Sequence, residues 1–423
     1  MNDMKQRALL LSIIFLVIQN FTLGQSLKDS LFKDCKILID SQRHVKALAQ
    51  FEEIQDQFPK SGQSEMLDLY YLIALKANSN HEYETALIWW RDSILQKRIS
   101  LSGTKNFKTI KTMHNIAMMY RNLGQGKKEF TSVEEIISIV QRGLEPLSSK
   151  DSISLAYKFL DYSYLYRRIE DFNKSEQCLN KAKLLMNKSS SARLNQKFNN
   201  YAGVLYSFKG NQALAKNYLL KSIANKPTKI PANSQYNLAL VYYQLNQLDS
   251  AYYHCQAAKK KYVKSNNNNN LGRCFNLLGL INHKRKNYLE AYENYQTSIE
   301  SFPSDLYPHS SSAIGYENIG DNYFSQQEYG QALKYYQQSL SYLSNRLNPL
   351  NTLKDNPIVS QISPTELNNA IRILGLKINA LYHAYKEQKQ EKYLKYALET
   401  SNTMDTLVHN FRLFNKSGED KIT

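Results

Sequence analysis

FNLLGLINHKRKNYLEAYENYQTSI, residues Phe275–Ile299, and YENIGDNYFSQQEYGQALKYYQQSL, residues Tyr316–Leu340, are two copies of one pattern. Each has a glycine, Gly279 or Gly320, and an alanine twelve positions later, Ala291 or Ala332. A tyrosine follows that alanine by four, Tyr295 or Tyr336. Two further copies lie upstream: Asn199–Ile223 pairs Gly203 with Ala215, and Gln235–Lys259 pairs Ala239 with Ala251. Tyr206, Tyr242 and Tyr323 stand three after the small residue, a column that Asn282 breaks. Leu219 continues the bulky column and Cys255 interrupts it. Apolar residues at i, i+3, i+4 and i+7 on both sides of a polar turn, such as Lys209-Gly210-Asn211 or Lys286-Asn287, specify a helical hairpin. Two helices approach closely only where both present small side chains, so the small residue and the alanine mark the crossing. One hairpin cannot bury its own apolar face, and hairpins of this kind therefore stack into a solenoid.

Weaker copies extend the pattern toward the N-terminus, at Ala47/Phe51, Ala74/Ala86/Trp90, Ala117/Tyr120/Gly124 and Ser163/Tyr166/Ser175. The alanine column runs 47, 86, 129, 175, 215, 251, 291 and 332, with Glu129 and Ser175 as its departures, so the period is near forty. At these residues the chain resembles the tetratricopeptide repeat family. Tyr316, Ile319, Gly320, Tyr323, Tyr329, Ala332 and Tyr336 match seven consensus positions. Phe275, Leu278, Gly279, Tyr288, Ala291, Tyr295 and Pro303 form another matching set, and Pro59 and Pro227 fall at the proline offset. The long period is more similar to the kinesin-light-chain-like branch than to the repeat of about 34 residues. The resemblance implies an all-α, right-handed solenoid of about eight hairpins over residues 26–345, followed by a C-terminal long helix pair. The run Asn266–Asn270 reads as a solvated loop between repeats.

The ends of the chain read differently. Lys5 and Arg7 precede the apolar run Ala8–Ile18, and Thr22 and Gly24 are small residues at a cleavage site, so residues 1–25 read as a secretory signal. The apolar run is too short to span a bilayer, which takes about 20 residues. Export of a bacterial protein to the periplasm, outer membrane or medium follows, with no stable membrane insertion after cleavage. Beyond the array, residues 346–364 form a Pro/Asn loop, 365–415 a helical hairpin and 416–423 a polar tail. Asn348–Pro364, ILGLKINALYHAYKEQ and YLKYALETSNTMDTLVHNFRLFNKSGEDK resemble the segment preceding the caspase-like domain of bacterial TPR–CHAT proteins. That resemblance implies a rival identity, the sensory or regulatory half of such a protease.

Glycine at 15 and proline at 9 of 423 residues argue against a many-turned β-fold and against a disordered polymer. The net charge is +17, and +16 once Asp3, Lys5 and Arg7 are removed. An exported protein meets little nucleic acid, so acidic peptides or envelope polyanions suit this charge better as partners. Four spread cysteines, Cys35, Cys178, Cys255 and Cys274, read mainly as free buried thiols, with one bridge open between Cys255 and Cys274.

No GxSxG, HExxH, Walker loop or GxGxxG occurs, and the eight histidines form no i, i+3 or i+4 pair. His254 and Cys255 are neighbours that a helix turns to different faces. The expectation is a protein without catalytic residues, metal or cofactor that binds a protein or peptide segment; self-association in the envelope is the other rival. Family groove positions carried onto this chain include Lys111, His114, Asn115 and Arg121, then Tyr157, Tyr164 and Arg167. Further along they are Lys197, Asn200, Asn233, Tyr236, Asn237 and Tyr243, then Arg273, Asn276, Lys284 and Asn318. In the family such asparagines hold an extended peptide backbone, and Lys and Arg grip carboxylates. An amide donates and accepts at once, and a guanidinium takes a carboxylate through two parallel bonds.

Overall fold

The computed structural model describes residues 63–186, 191–224, 231–302, 310–344, 350, 352–363 and 366–417. The signal-like segment, Cys35, the hairpin expected at Ala47 and prolines 59, 227, 303, 349 and 364 lie outside these residues. Every regular element among them is helical. In the first compact unit α1 (Gln63–Ser79) is followed by α2 (Tyr83–Ile88), a π-helical stretch Trp89–Leu95 and α3 (Gln96–Ser102). Then come α4 (Phe107–Asn122) and α5 (Gly126–Gln141). The boundary with the second unit falls between Ser154 and Leu155, inside α6 (Ser149–Arg168), so the array expected over 26–345 is two compact units. The second unit continues through α7 (Phe172–Leu185), α8 (Ala192–Phe208), α9 (Gln212–Ala224), α10 (Ala232–Gln244) and α11 (Leu248–Lys264). It ends with α12 (Asn268–Lys284), α13 (Tyr288–Glu300), α14 (Ser310–Ser325), α15 (Tyr329–Leu343), α16 (Leu367–Gln388) and α17 (Lys392–Ser417). Consecutive helices of this unit pack as antiparallel pairs, and pair stacks on pair, the all-α solenoid that the repeat implies.

The crossing of each pair is as tight as the small residues demand. A Cβ on Gly279 would stand 2.4 Å from the Tyr295 ring, on Gly320 2.5 Å from Tyr336, and on Gly203 2.5 Å from Leu219. In two hairpins where the small residue already has a Cβ, the residue sixteen positions on is smaller: Ala239 is matched by Cys255, and Ala117 by Val133. Cys255 is therefore no defect in the bulky column; it is the other half of a size exchange. Ser163 opposite Leu179 and Ala74 opposite Trp90 depart from this exchange, and at Trp90 the second helix becomes π-helical.

Residues of the alanine column from Ala86 to Ala332 are all buried, including its two departures. Ser175 is satisfied by Ser163, whose carbonyl lies 2.8 Å from its hydroxyl. Glu129 is 1% exposed and takes Nε of Arg121 at 2.5 Å. Five positions before each of these anchors the backbone is left-handed: His81, Gly124, Glu170, Gly210, Asn246, Lys286 and Gln327. The next amide donates back across the turn to Ala77, Tyr120, Tyr166, Tyr206, Tyr242, Asn282 or Tyr323, at 2.8–3.0 Å. This capping bond uses a main-chain carbonyl, which is why Asn282 can stand in the tyrosine column.

Two features escaped the sequence pattern. Ser222, Ser298 and Ser339, seven after the alanine, donate to the carbonyls of Gln196, Gly272 and Ala313 at 2.7–3.1 Å, bolting the two helices of a hairpin together. The asparagine run is also not a loop. Asn267 accepts from the Asn270 amide and caps α12, and Asn268–Asn270 are its first turn.

The C-terminal pair runs from Leu367 to Ser417. It is held to the preceding loop by Lys377, a fully buried lysine on α16. Its ammonium donates to the Asp355 carbonyl at 2.9 Å and to Asn356 Oδ1 at 3.0 Å. Thr400 on α17 also reaches Asn356 Oδ1, and Gln337 on α15 reaches the Asp355 carbonyl. Burial pushes the Lys377 pKa down to about 8, with Asp355 and Glu399 opposing the shift.

Two measurements check these statements. Gly279→Ala should lower stability by about 1–3 kcal/mol in chemical denaturation, through overpacking against Tyr295. Gly279→Ala combined with Tyr295→Cys, which copies the Ala239/Cys255 pair, should recover part of that loss; an additive double variant would contradict the size exchange. For Lys377, the unfolded chain keeps a proton between pH 8 and about 10.5 that the folded chain has released, so this group makes stability rise with pH in that window. The stability of wild type minus that of Lys377→Met should therefore grow from pH 7.5 to 9.5. A flat difference would show that the folded lysine is not depressed.

Candidate functional site

The first helix of each hairpin in the second unit turns the same face toward the same side, because the repeat keeps its register. Residues one period apart therefore meet. Asn237 donates to Asn200 at 3.0 Å, Asn318 donates to Asn276 at 2.8 Å, and the rings of Tyr164 and Tyr201 lie 6.5 Å apart. Between α6, α8, α10 and α12 this face forms a groove of about 360 Å³. It gathers Tyr164, Arg167, Asn200, Asn233, Tyr236, Asn237 and Arg273 from positions the sequence singled out. Val204, Leu240 and Val241 supply apolar lining between the asparagines.

The electrostatics of this groove are one-sided. The Arg167 guanidinium lies 5.0 Å from the Tyr164 ring and 5.1 Å from Phe208. Burial lowers its pKa, and the charge of Arg273, three first helices along, pushes the same way. Arg273 lies over Tyr236 at 4.8 Å and donates to Asn270 Oδ1 at 3.3 Å. Neither arginine has a carboxylate partner among the described residues. Burial pushes the Tyr236 hydroxyl up to about 12, so it stays a neutral donor. Two guanidiniums held against aromatic faces, with amides between them, are suited to an anionic segment whose backbone the amides can pair.

Other sequence candidates have different positions. Lys197 pairs with Asp161 at 2.9 Å and lies over Tyr157 and Tyr201, so its charge is already matched. Lys284 sits 4.2 Å over Tyr243, continuing the cationic face beyond Arg273. On α14 the sign changes. Asp321 accepts from the Tyr336 hydroxyl at 2.7 Å, and Glu317 is buried against Arg372. The asparagines have partners of their own. Asn200, Asn237, Asn276 and Asn318 form two bonded pairs, and Asn233 accepts from the Tyr262 hydroxyl. Each pair leaves amide hydrogens and a carbonyl unspent.

The remaining candidates belong to the first unit. His114 is buried at 7% exposure and is not among the residues that line the groove. Arg121 is occupied by Glu129. Lys111 lies 4.7 Å over the Tyr71 ring, and Asn115 donates to the Tyr71 hydroxyl at 2.7 Å. The sequence missed Tyr201, Phe208, Tyr262 and Asn270 as groove residues. Tyr262 lies on a second helix and Phe208 at a helix end, where first-helix positions give no signal. Among the described residues no histidine, cysteine and carboxylate cluster could hold a metal ion, and no helix is long and apolar enough to cross a membrane.

Residues 275–345 match the tetratricopeptide repeat family model, and the chain carries these repeats. No curated protein sequence matches. Among solved structures, the apo form of RapI is similar over 84% of this chain and 99% of its own, at 13% identity and a TM-score of 0.50. NprR in complex with its cognate peptide NprX is 19% identical, covering 74% of this chain and 85% of its own, at a TM-score of 0.45. PilF of Pseudomonas aeruginosa is 16% identical over 60% of this chain and 99% of its own, at 0.37. At 13% identity the likeness to RapI is one of fold alone.

Arg273 should behave as a binding residue and not as a structural one. Because its charge disfavours that of Arg167, Arg273→Gln should leave stability within about 0.5 kcal/mol of wild type or raise it slightly. A loss of about 2 kcal/mol in urea denaturation would mark it as structural instead.

Proposed function

We propose that this tetratricopeptide-repeat chain is an exported, non-enzymatic scaffold that binds an extended, preferentially acidic protein or peptide segment between α6, α8, α10 and α12. The observation that carries this reading is the Arg167/Arg273 pair, two guanidiniums with no carboxylate partner among the described residues that line one groove with asparagines. Holding like charges together is unfavourable without an anion, and a ligand carboxylate would relieve the repulsion and gain charge-assisted bonds. The paired asparagines suit a main chain in extended form, and the tyrosine faces give contact area at low entropy cost. Export rests on the leader-like residues 1–25 and is checked by the N-terminus of protein recovered from the cell envelope, expected at Gln25.

Selection from a random peptide display library tests the ligand class. Enriched peptides should be rich in Asp and Glu, and their affinity should fall steeply from low to high salt. Arg167→Gln with Arg273→Gln should weaken them about tenfold or more while circular dichroism stays helical. Enrichment of apolar or basic peptides, or binders indifferent to both substitutions, would overturn the proposal.

A further inference from the structure

Two cysteines lie together where the hairpin α10–α11 joins α12. Cys255, on α11, and Cys274, on α12, are both fully buried in one apolar cluster with Ala239, Ala258, Leu277 and Leu278. The Cys255 thiol donates to the Cys274 carbonyl at 3.3 Å. The neighbouring Cys274 and burial push the Cys255 pKa upward. Cys178, the other described cysteine, lies on α7 outside this cluster. The size exchange explains why position 255 is small. It does not explain why a second buried cysteine, Cys274, lies against it on the next helix.

We propose that Cys255 and Cys274 are a redox pair that closes into a disulfide joining α11 to α12. The oxidant is a disulfide reagent of the oxidised-dithiol or glutathione-disulfide class. One cysteine, as thiolate, attacks a reagent sulfur and displaces a thiol; the second cysteine then displaces the other reagent sulfur from the mixed disulfide. Both hydrogens and one electron pair end on the reagent, which leaves as two thiols, and one S–S bond forms in the protein. Burial sets the timing. No reagent reaches either sulfur in the closed structure, so exchange takes place before α12 packs onto α11 or during its opening. Once the joint has closed, the bond is shielded from reductant. The closed loop spans 19 positions and crosses the junction between consecutive hairpins, beside Arg273 on α12 and opposite Tyr236 on α10. The pair thus acts as a staple on the joint that the groove straddles. This inference does not rest on the groove's ligand.

The test uses the full wild-type chain. It is refolded with oxidised or with reduced glutathione, then denatured, alkylated and mapped by mass spectrometry without reduction. The oxidised sample should be lighter by about 2 Da before alkylation, with the Cys255 and Cys274 peptides joined. Its thermal midpoint should lie several degrees above that of the reduced sample. Full alkylation of both cysteines after oxidative refolding, or linkage of either to Cys35 or Cys178, would overturn the proposal. So would a joined pair with an unchanged midpoint, because the bond would then not brace the joint. Cys178→Ser should leave the joined peptide in place, and its loss in that variant would also count against the assignment.

Discussion

The close crossing of the two helices in each hairpin is the constraint on which the rest depends. At Gly203, Gly279 and Gly320 the neighbouring side chain occupies the volume of the missing Cβ. Because interiors pack to near-crystalline density, such a site tolerates a change of partner only if the total volume is conserved. Five hairpins obey this by exchange, with Gly203, Gly279 and Gly320 facing leucine or tyrosine, and Ala117 and Ala239 facing valine or cysteine. A fixed crossing distance gives each hairpin a similar thickness. Similar thickness keeps the repeats in register, and register brings side chains one period apart into hydrogen-bonding range, as in the Asn200–Asn237 and Asn276–Asn318 pairs. The groove is thus a consequence of the crossing.

The abundance of tyrosine, 31 residues, finds its account in two roles. Buried tyrosines such as Tyr295 and Tyr336 fill the wedge opened by glycine. Others supply faces for cations: Arg167 lies over Tyr164, Arg273 over Tyr236 and Lys284 over Tyr243. A ring beneath a guanidinium keeps the charge in place without neutralising it, whereas a carboxylate would do both. Lys197, which has Asp161, shows the contrast within one unit.

The hairpins were legible in the sequence because the small-to-alanine spacing of twelve is imposed by backbone contact and survives the loss of every other consensus residue. Even Glu129 and Ser175 occupy their expected buried places, each satisfied by a local partner. Features set by three-dimensional compensation were not legible. The π-helical stretch at Trp89–Leu95, the capping role of Asn267 and the buried clamp at Lys377 depend on what the opposing chain offers, and one sequence does not display that. The groove was legible by half. First-helix positions pointed to Arg167, Asn237 and Arg273, while Tyr262, from a second helix, gave no periodic signal. His114 obeyed the same positional rule yet does not line the groove, since position on a helix does not reveal how deep a neighbour covers it.

Hydrogen exchange of the protein with and without a selected acidic peptide tests the account most directly, because it reads where a ligand sits along a repetitive array. Added protection should concentrate on α6, α8, α10 and α12, the four helices that present Arg167, Asn200, Asn237 and Arg273. Protection confined to the second helices α7, α9, α11 and α13, or to the α16–α17 pair, would contradict it.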